Sequence, residues 1–237
     1  MKTFKVLFII ILLVPFFSTG QIISQYVETN KGSNPKGIEI YNNTGATLDF
    51  SSTNLTVWLE QNGAAEALKH TISSGNLAPN EVLVIGTSGM ETDVASNNPS
   101  CQFYTEGWQF NGDDNIIVKL DGNVTDTFGR ALLNGADFYS SYGGIKSSNQ
   151  NIERKSGIFS GDLDFFASTQ TNTDNISLYY NTVVNFPSGY PDDASELTAS
   201  LQGFGIPPEN IMYAGGWKTW DSSTNATSTT APSGSNT

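Results

Sequence analysis

The stretch from Phe110 to Arg130, FNGDDNIIVKLDGNVTDTFGR, constrains this chain more than any other. Ile116, Val118 and Leu120 alternate, with Lys119 between two of them and Ile117 on the other face. Val124 to Phe128 gives a second alternating run. Asp121-Gly122-Asn123 lies between the runs, and glycine takes positive φ without steric cost, so the stretch predicts a β-hairpin. Asn111-Gly112-Asp113-Asp114 predicts the turn that launches its first strand. A hairpin of this kind buries one face only against a second layer, so the rest of the chain must supply that layer.

Strand signals supply it. Gln21–Glu28, Gly37–Tyr41, Leu55–Leu59 and Glu81–Ile85 are alternating or apolar and rich in β-branched residues. In GIEIY, Ile38 and Ile40 fall on one face and Glu39 on the other. Ala64–His70 has helix-favouring composition, but its flanking strands favour a strand over Ala67–Ile72, with Leu68, His70 and Ile72 on one face. Cys101–Tyr104 and Trp108–Phe110 are short strand pieces, Asn151–Lys155 is a short segment, and Asp164–Ala167 and Ile176–Val184 are strand candidates. Gly86–Ser100 and Ala131–Asn149 read as loops. Short strands separated by turn residues predict an all-β sandwich.

Beyond Asn185 the composition changes. Phe186–Pro191 is a spacer. Residues 192–203, DDASELTASLQG, predict a helix capped by Asp192 or Asp193, with Leu197 and Leu201 on one face. Gly203 or Gly205 stops it, and Pro207-Pro208 prevents continuation. Ile211–Tyr213 is a possible last strand. Ser222–Thr237 is rich in Ser, Thr and Asn and predicts a disordered tail.

Met1–Gly20 has Lys2 and Lys5, an apolar run from Val6 to Phe17, and then Ser18-Thr19-Gly20. This is the pattern of a secretory signal peptide cleaved before Gln21. It predicts a secreted or cell-surface protein with no transmembrane segment after cleavage. Losing the two lysines takes the formal charge from -12 to -14. So acidic a chain repels phosphates, which argues against nucleic acid as a partner. With a single cysteine, Cys101, no intramolecular disulfide forms, and a core must hold the fold.

Four segments, in this order, resemble the secreted bacterial branch of the lamin tail domain family. IISQYVETN followed by GIEIYNNTGATLDFSSTNLTVW resembles its opening strands, and LAPNEVLVIG its loop and central strand. The Phe110–Arg130 hairpin and the basic piece NIERKSG complete the set. The resemblance covers roughly Gln21 to Thr173 and implies an immunoglobulin-like β-sandwich. It assigns 21–184 to a lamin-tail-like sandwich, 185–221 to a C-terminal extension and 222–237 to the tail. The family often carries Trp after the basic piece, where this chain has Phe165 and Phe166. The resemblance implies adhesion, attachment or accessory roles, and no reaction.

The residues themselves point the same way. His70 is the only histidine, and it lies on a predicted strand face, so a Ser–His–Asp triad and a histidine-based zinc site both lack ligands or base. Asp113/Asp114, Asp121/Asp126 and Asp162/Asp164 are acid pairs of the type glycosidases use, which keeps a hydrolase as a third reading. Acids in turns more often form the turn. Asp113 and Asp114 are also the candidate ligands for calcium, a hard cation that takes clustered oxygens. Trp108, Trp217 and Trp220 are the candidate ligand-binding residues of a carbohydrate-binding module, since an aromatic face is an apolar platform for a sugar ring. Trp58 and Trp108 read more readily as core. The expected partner is cell-surface or extracellular polysaccharide or protein. No cofactor is expected beyond calcium.

Overall fold

A computed structural model describes residues 20–28, 35–112, 114–129, 150–154, 161, 163, 180–185, 204–205, 219–221 and 226–228. The strands are β1 (Gln21–Glu28), β2 (Lys36–Asn42), β3 (Leu48–Asp49), β4 (Leu55–Glu60), β5 (Ala67–Ile72), β6 (Asn76–Leu77) and β7 (Val82–Gly86). They continue as β8 (Gln102–Thr105), β9 (Asn115–Leu120), β10 (Asn123–Gly129), β11 (Gln150–Arg154), β12 (Tyr180–Asn185), β13 (Thr219–Asp221) and β14 (Ala226–Ser228). One short helix, α1 (Glu91–Asn97), follows a 3-10 turn at Ser88–Met90.

The architecture is an all-β sandwich. A six-stranded sheet runs β12-β11-β1-β2-β7-β8 and faces a four-stranded sheet, β10-β9-β4-β5. Every pairing in the two sheets is antiparallel except β7 with β8. Ile23, Tyr26, Ile38, Ile40, Leu83, Ile85 and Ile152 come from the larger sheet into the shared core. Leu55, Val57, Leu59, Ile116, Val118 and Phe128 meet them from the smaller sheet. The apolar alternation that marked these strands in the sequence is therefore the inner-face alternation of both sheets.

The hairpin forms as expected. Asp121 and Gly122 both have positive φ, 48° and 80°, the geometry that matches the twist of a two-residue hairpin. Asn62-Gly63 repeats the device, with φ of 52° and 75°. The expected strand over Ala67–Ile72 is also present.

Other expectations are corrected. Gly86–Ser100 is not all loop: α1 lies within it. The helix spans seven residues, about two turns, and buries Val94 beside Met90 of the preceding 3-10 turn, too little to leave an apolar period in the sequence. Trp108–Phe110 is not a strand. Both aromatic side chains are nevertheless in the core, held in an irregular segment that lies against Ile85 and Tyr26. Ala226–Ser228, within the expected disordered tail, pairs with Thr219–Asp221. The expected helix 192–203 and the strands Asp164–Ala167 and Ile211–Tyr213 lie outside the described residues, as does the leader 1–19.

The predicted face of β5 is corrected too. A bulge sits where Val57 and Trp58 of β4 pair with His70 and Leu68. One extra residue reverses the side on which the next residue points. Ile72 stays buried with the core, whereas Leu68 joins Trp58 on the outer face and is 50 % exposed. His70 keeps the side of Val57.

The larger sheet has both faces covered. Its outer side carries Val27, Val84, Met90, Val94 and Phe204 in one cluster and Ile22, Tyr41 and Val82 in another. All of β1 and β2 is buried as a result. Glu39, read from alternation as facing away from the core, faces this second covered layer and not solvent.

Candidate functional site

Trp108 is buried, with 5 % of its surface exposed, and its indole Nε1–H donates to the Ile85 carbonyl at 3.0 Å. It leans on Phe110, which stacks on Tyr26, which stacks on Phe128, at centroid distances of 5.2, 5.3 and 4.2 Å. Trp108 is thus the end of an aromatic row inside the core, and its ring has no face to offer a sugar. Trp217 lies outside the described residues. Trp220 is the middle residue of β13, opposite Thr227.

Asp114 is buried as well. Its Oδ1 accepts the Asn62 N–H at 2.8 Å and its Oδ2 the Asn111 N–H at 3.1 Å. The carboxylate ties the Asn62-Gly63 turn to the loop that launches β9, a structural use of both oxygens. Its neighbour Asp113 lies outside the described residues. Among the described residues, no three His, Cys, Asp or Glu side chains converge as a metal would need.

Asp121 and Asp126 separate in the fold. Asp121 is exposed in the hairpin turn, where its Oδ1 accepts the Asn54 N–H at 2.9 Å. Asp126 is fully buried in the middle of β10, opposite Val118. It accepts the Ile23 N–H at 2.7 Å and is ion-paired with Arg154, whose Nε–H donates to the Ile23 carbonyl at 2.9 Å. Asp162 and Asp164 lie outside the described residues.

His70 lies at the edge of the sandwich where β5 approaches β8. Its Nδ1 is 3.0 Å from Glu106 Oε2, and its ring meets Tyr104 edge-on at 5.6 Å. The Tyr104 hydroxyl donates to Gln102 Oε1 at 3.1 Å, and burial pushes it above the usual phenol range. A His–Glu pair can orient a base, but the hydroxyl beside it is already committed and harder to ionise than in water. Cys101 is equally poor as a nucleophile. Burial first, then the charges of Glu39 and Glu81, push its thiol up to about 12.

Alternation could not expose one pair of acids, Glu39 and Glu153, because they meet through the β1 residue between them. Gln25 pairs with Glu39 on one side and with Glu153 on the other. Burial pushes both carboxyls up to about 8, and the proximity of Glu153 adds to the rise at Glu39. Glu39 accepts the Ser24 hydroxyl at 2.6 Å and the Gly205 N–H at 2.7 Å. Phe204-Gly205 closes over this place. Asn97 Nδ2 donates to the Phe204 carbonyl at 3.0 Å, and Asn98 Nδ2 to that of Gly205 at 2.7 Å. Gly205 has φ +86°, and a Cβ there would stand 3.0 Å from Val94 and 3.3 Å from Cys101, so only glycine fits. Glu39 therefore lies beneath this peptide, and both carboxyls are buried.

The outward face of the smaller sheet is different. Trp58 is half-buried there, pinned by its Nε1–H to Thr56 Oγ1 at 3.0 Å. Lys119 on the adjacent strand holds its ammonium 4.4 Å from the Trp58 ring centroid, and pairs with Glu66 at 2.6 Å. Leu68 completes the patch from β5, directly opposite Trp58. Among the described residues this is the patch that joins an accessible aromatic ring, an exposed aliphatic side chain and a charge pair. No family model matches the chain, and neither a curated protein nor a solved structure matches it.

Proposed function

We propose that this protein is a secreted, non-catalytic interaction module with a lamin-tail-like, immunoglobulin-like β-sandwich, serving adhesion, attachment or an accessory role at a surface. One observation carries the reading. Among the described residues, Asp114, Asp126 and Glu39 are engaged in holding the fold, whereas the Trp58–Leu68–Lys119 patch is held in place with Leu68 exposed. A rigid sheet face pre-organises such a patch, so little order need be imposed on binding. The signal-like leader and the order of the four family-like segments support secretion and the lamin-tail relationship. The test is to incubate the purified mature chain with intact cells and with a panel of glycans, esters and DNA. Retention on cells with no turnover of the panel is expected. Hydrolysis of any member overturns the reading.

A carbohydrate-binding module is the second reading, and the half-exposed Trp58 ring favours it. The sugar platform would then be Trp58 in place of the buried Trp108. A glycan array decides it: binding that survives Trp58→Ala removes the aromatic platform from consideration.

A further inference from the structure

The first residue of β1 is in an unusual position. Gln21 is 1 % exposed, and neither the nitrogen nor the oxygen of its side-chain amide has a hydrogen-bond partner among the described residues. A buried amide left unpaired is disfavoured, and native structures rarely keep one without a reason. The same residue follows the expected signal-peptide cleavage point. Cleavage there would create an α-amine on Gln21, and an α-amine is largely protonated at neutral pH. The fold would then hold a cation where it already holds an unsatisfied amide, and burying a charge without a partner costs more than burying a dipole. Cleavage also removes an acceptor, because the Gly20 carbonyl takes the Asn43 N–H at 2.8 Å.

We infer that Gln21 is a cyclisation site: once residue 20 is removed, its α-amine closes on its own side-chain amide to give a pyroglutamyl N-terminus. This rests on the secretory reading above. The amine nitrogen attacks Cδ, the N–Cδ bond forms, the bond from Cδ to the amide nitrogen breaks, and ammonia leaves with the displaced proton. No oxidant, reductant or second substrate is needed. The product is neutral, keeps one N–H for the start of the β1–β2 ladder and keeps the carbonyl oxygen as an acceptor. The ammonium and the unpaired NH2 both disappear. Because Gln21 is buried once β1 pairs with β2, ring closure precedes completion of the sheet.

The experiment uses the full chain, expressed in a host that exports it, with the product collected from the exported fraction. Mass spectrometry of its N-terminal peptide is expected to give a sequence starting at residue 21 and lighter by one ammonia than QIISQYVE predicts. Stepwise N-terminal degradation is expected to be blocked. Gln21→Asn keeps a primary amide but would need a strained four-membered ring, so its N-terminus stays open to degradation. A parent peptide that starts at Gln21 with an intact amide overturns the inference alone. An exported peptide that starts at another residue also overturns the inference alone, whereas a chain that is absent from the exported fraction and keeps Met1 overturns the secretory reading.

Discussion

The carboxylate of Asp126 and the backbone of Ile23 are joined across 103 residues of sequence, Ile23 N–H donating to Asp126 Oδ2 at 2.7 Å. Both residues stand at register shifts, Ile23 at the bulge of β1 and Asp126 at that of β10. A bulge leaves backbone groups outside the ladder. Arg154 completes the closure by donating to the Ile23 carbonyl while pairing with Asp126. The two sheets are thus fastened where each ladder is irregular.

Removing that carboxylate leaves Arg154 charged, buried and without its acid partner. Asp126→Ala is expected to cost about 3–5 kcal/mol, the scale for breaking a buried ion pair. Adding Arg154→Met should recover part of the loss, because the buried charge that had paired with Asp126 goes with it. Urea unfolding of the parent, the single and the double variant measures both effects. A double variant less stable than Asp126→Ala would show that the Arg154 bond to Ile23 outweighs its charge.

Stability should fall as pH rises towards 8. Unfolded, Glu39 and Glu153 ionise in the ordinary carboxylate range; folded, they hold their protons up to about 8. Between those limits the folded state binds more protons than the unfolded one, so the stabilisation is complete below the window and lost through it. Glu39→Gln keeps an oxygen for the Gly205 N–H and turns its NH2 to the Ser24 hydroxyl, which can accept. Glu39→Gln with Glu153→Gln should therefore flatten the dependence, read as urea midpoints between about pH 5 and about pH 9.

The two tryptophans should separate stability from binding. Trp108→Ala empties the end of the core's aromatic row and is expected to cost about 3–5 kcal/mol. Trp58→Ala gives up a contact with Lys119 worth about 0.5–1 kcal/mol and should fold nearly as the parent does. Cell or glycan retention should be lost in Trp58→Ala alone once both proteins are folded. Equal retention by Trp58→Ala and the parent would move the binding face elsewhere.

Gly37 and Gly86 face each other across β2 and β7 and make the floor on which Met90 rests. A Cβ on Gly37 would stand 3.0 Å from both the Gly86 Cα and the Ile85 carbonyl, backbone atoms that cannot swing away. On Gly86 the closest atom would be the Met90 sulfur at 2.7 Å, the far part of a flexible side chain. Gly37→Ala should thus cost about 1–3 kcal/mol, in the range of overpacking, and Gly86→Ala less. Thermal midpoints of the two variants compare them directly.

Local chemistry in the sequence determined most of the strands and their turns. Asp121-Gly122 dictated a hairpin because few residues tolerate positive φ at both central positions, and the alternation of Ile116 and Val118 marked the core face of that hairpin. Trp108 read more readily as core than as a ligand platform in the sequence, and its burial with the indole against Ile85 showed that role. Tertiary structure alone decided the rest. A period of two names two faces but cannot say whether the second one meets water, so Glu39 looked outward until Phe204-Gly205 covered it. One bulge in β5 turned Leu68 out beside Trp58, and no composition rule marks where a ladder gains a residue. The pairing of Asp126 with Ile23 and Arg154 depends on segments far apart in the chain, which only the closed sandwich brings into contact.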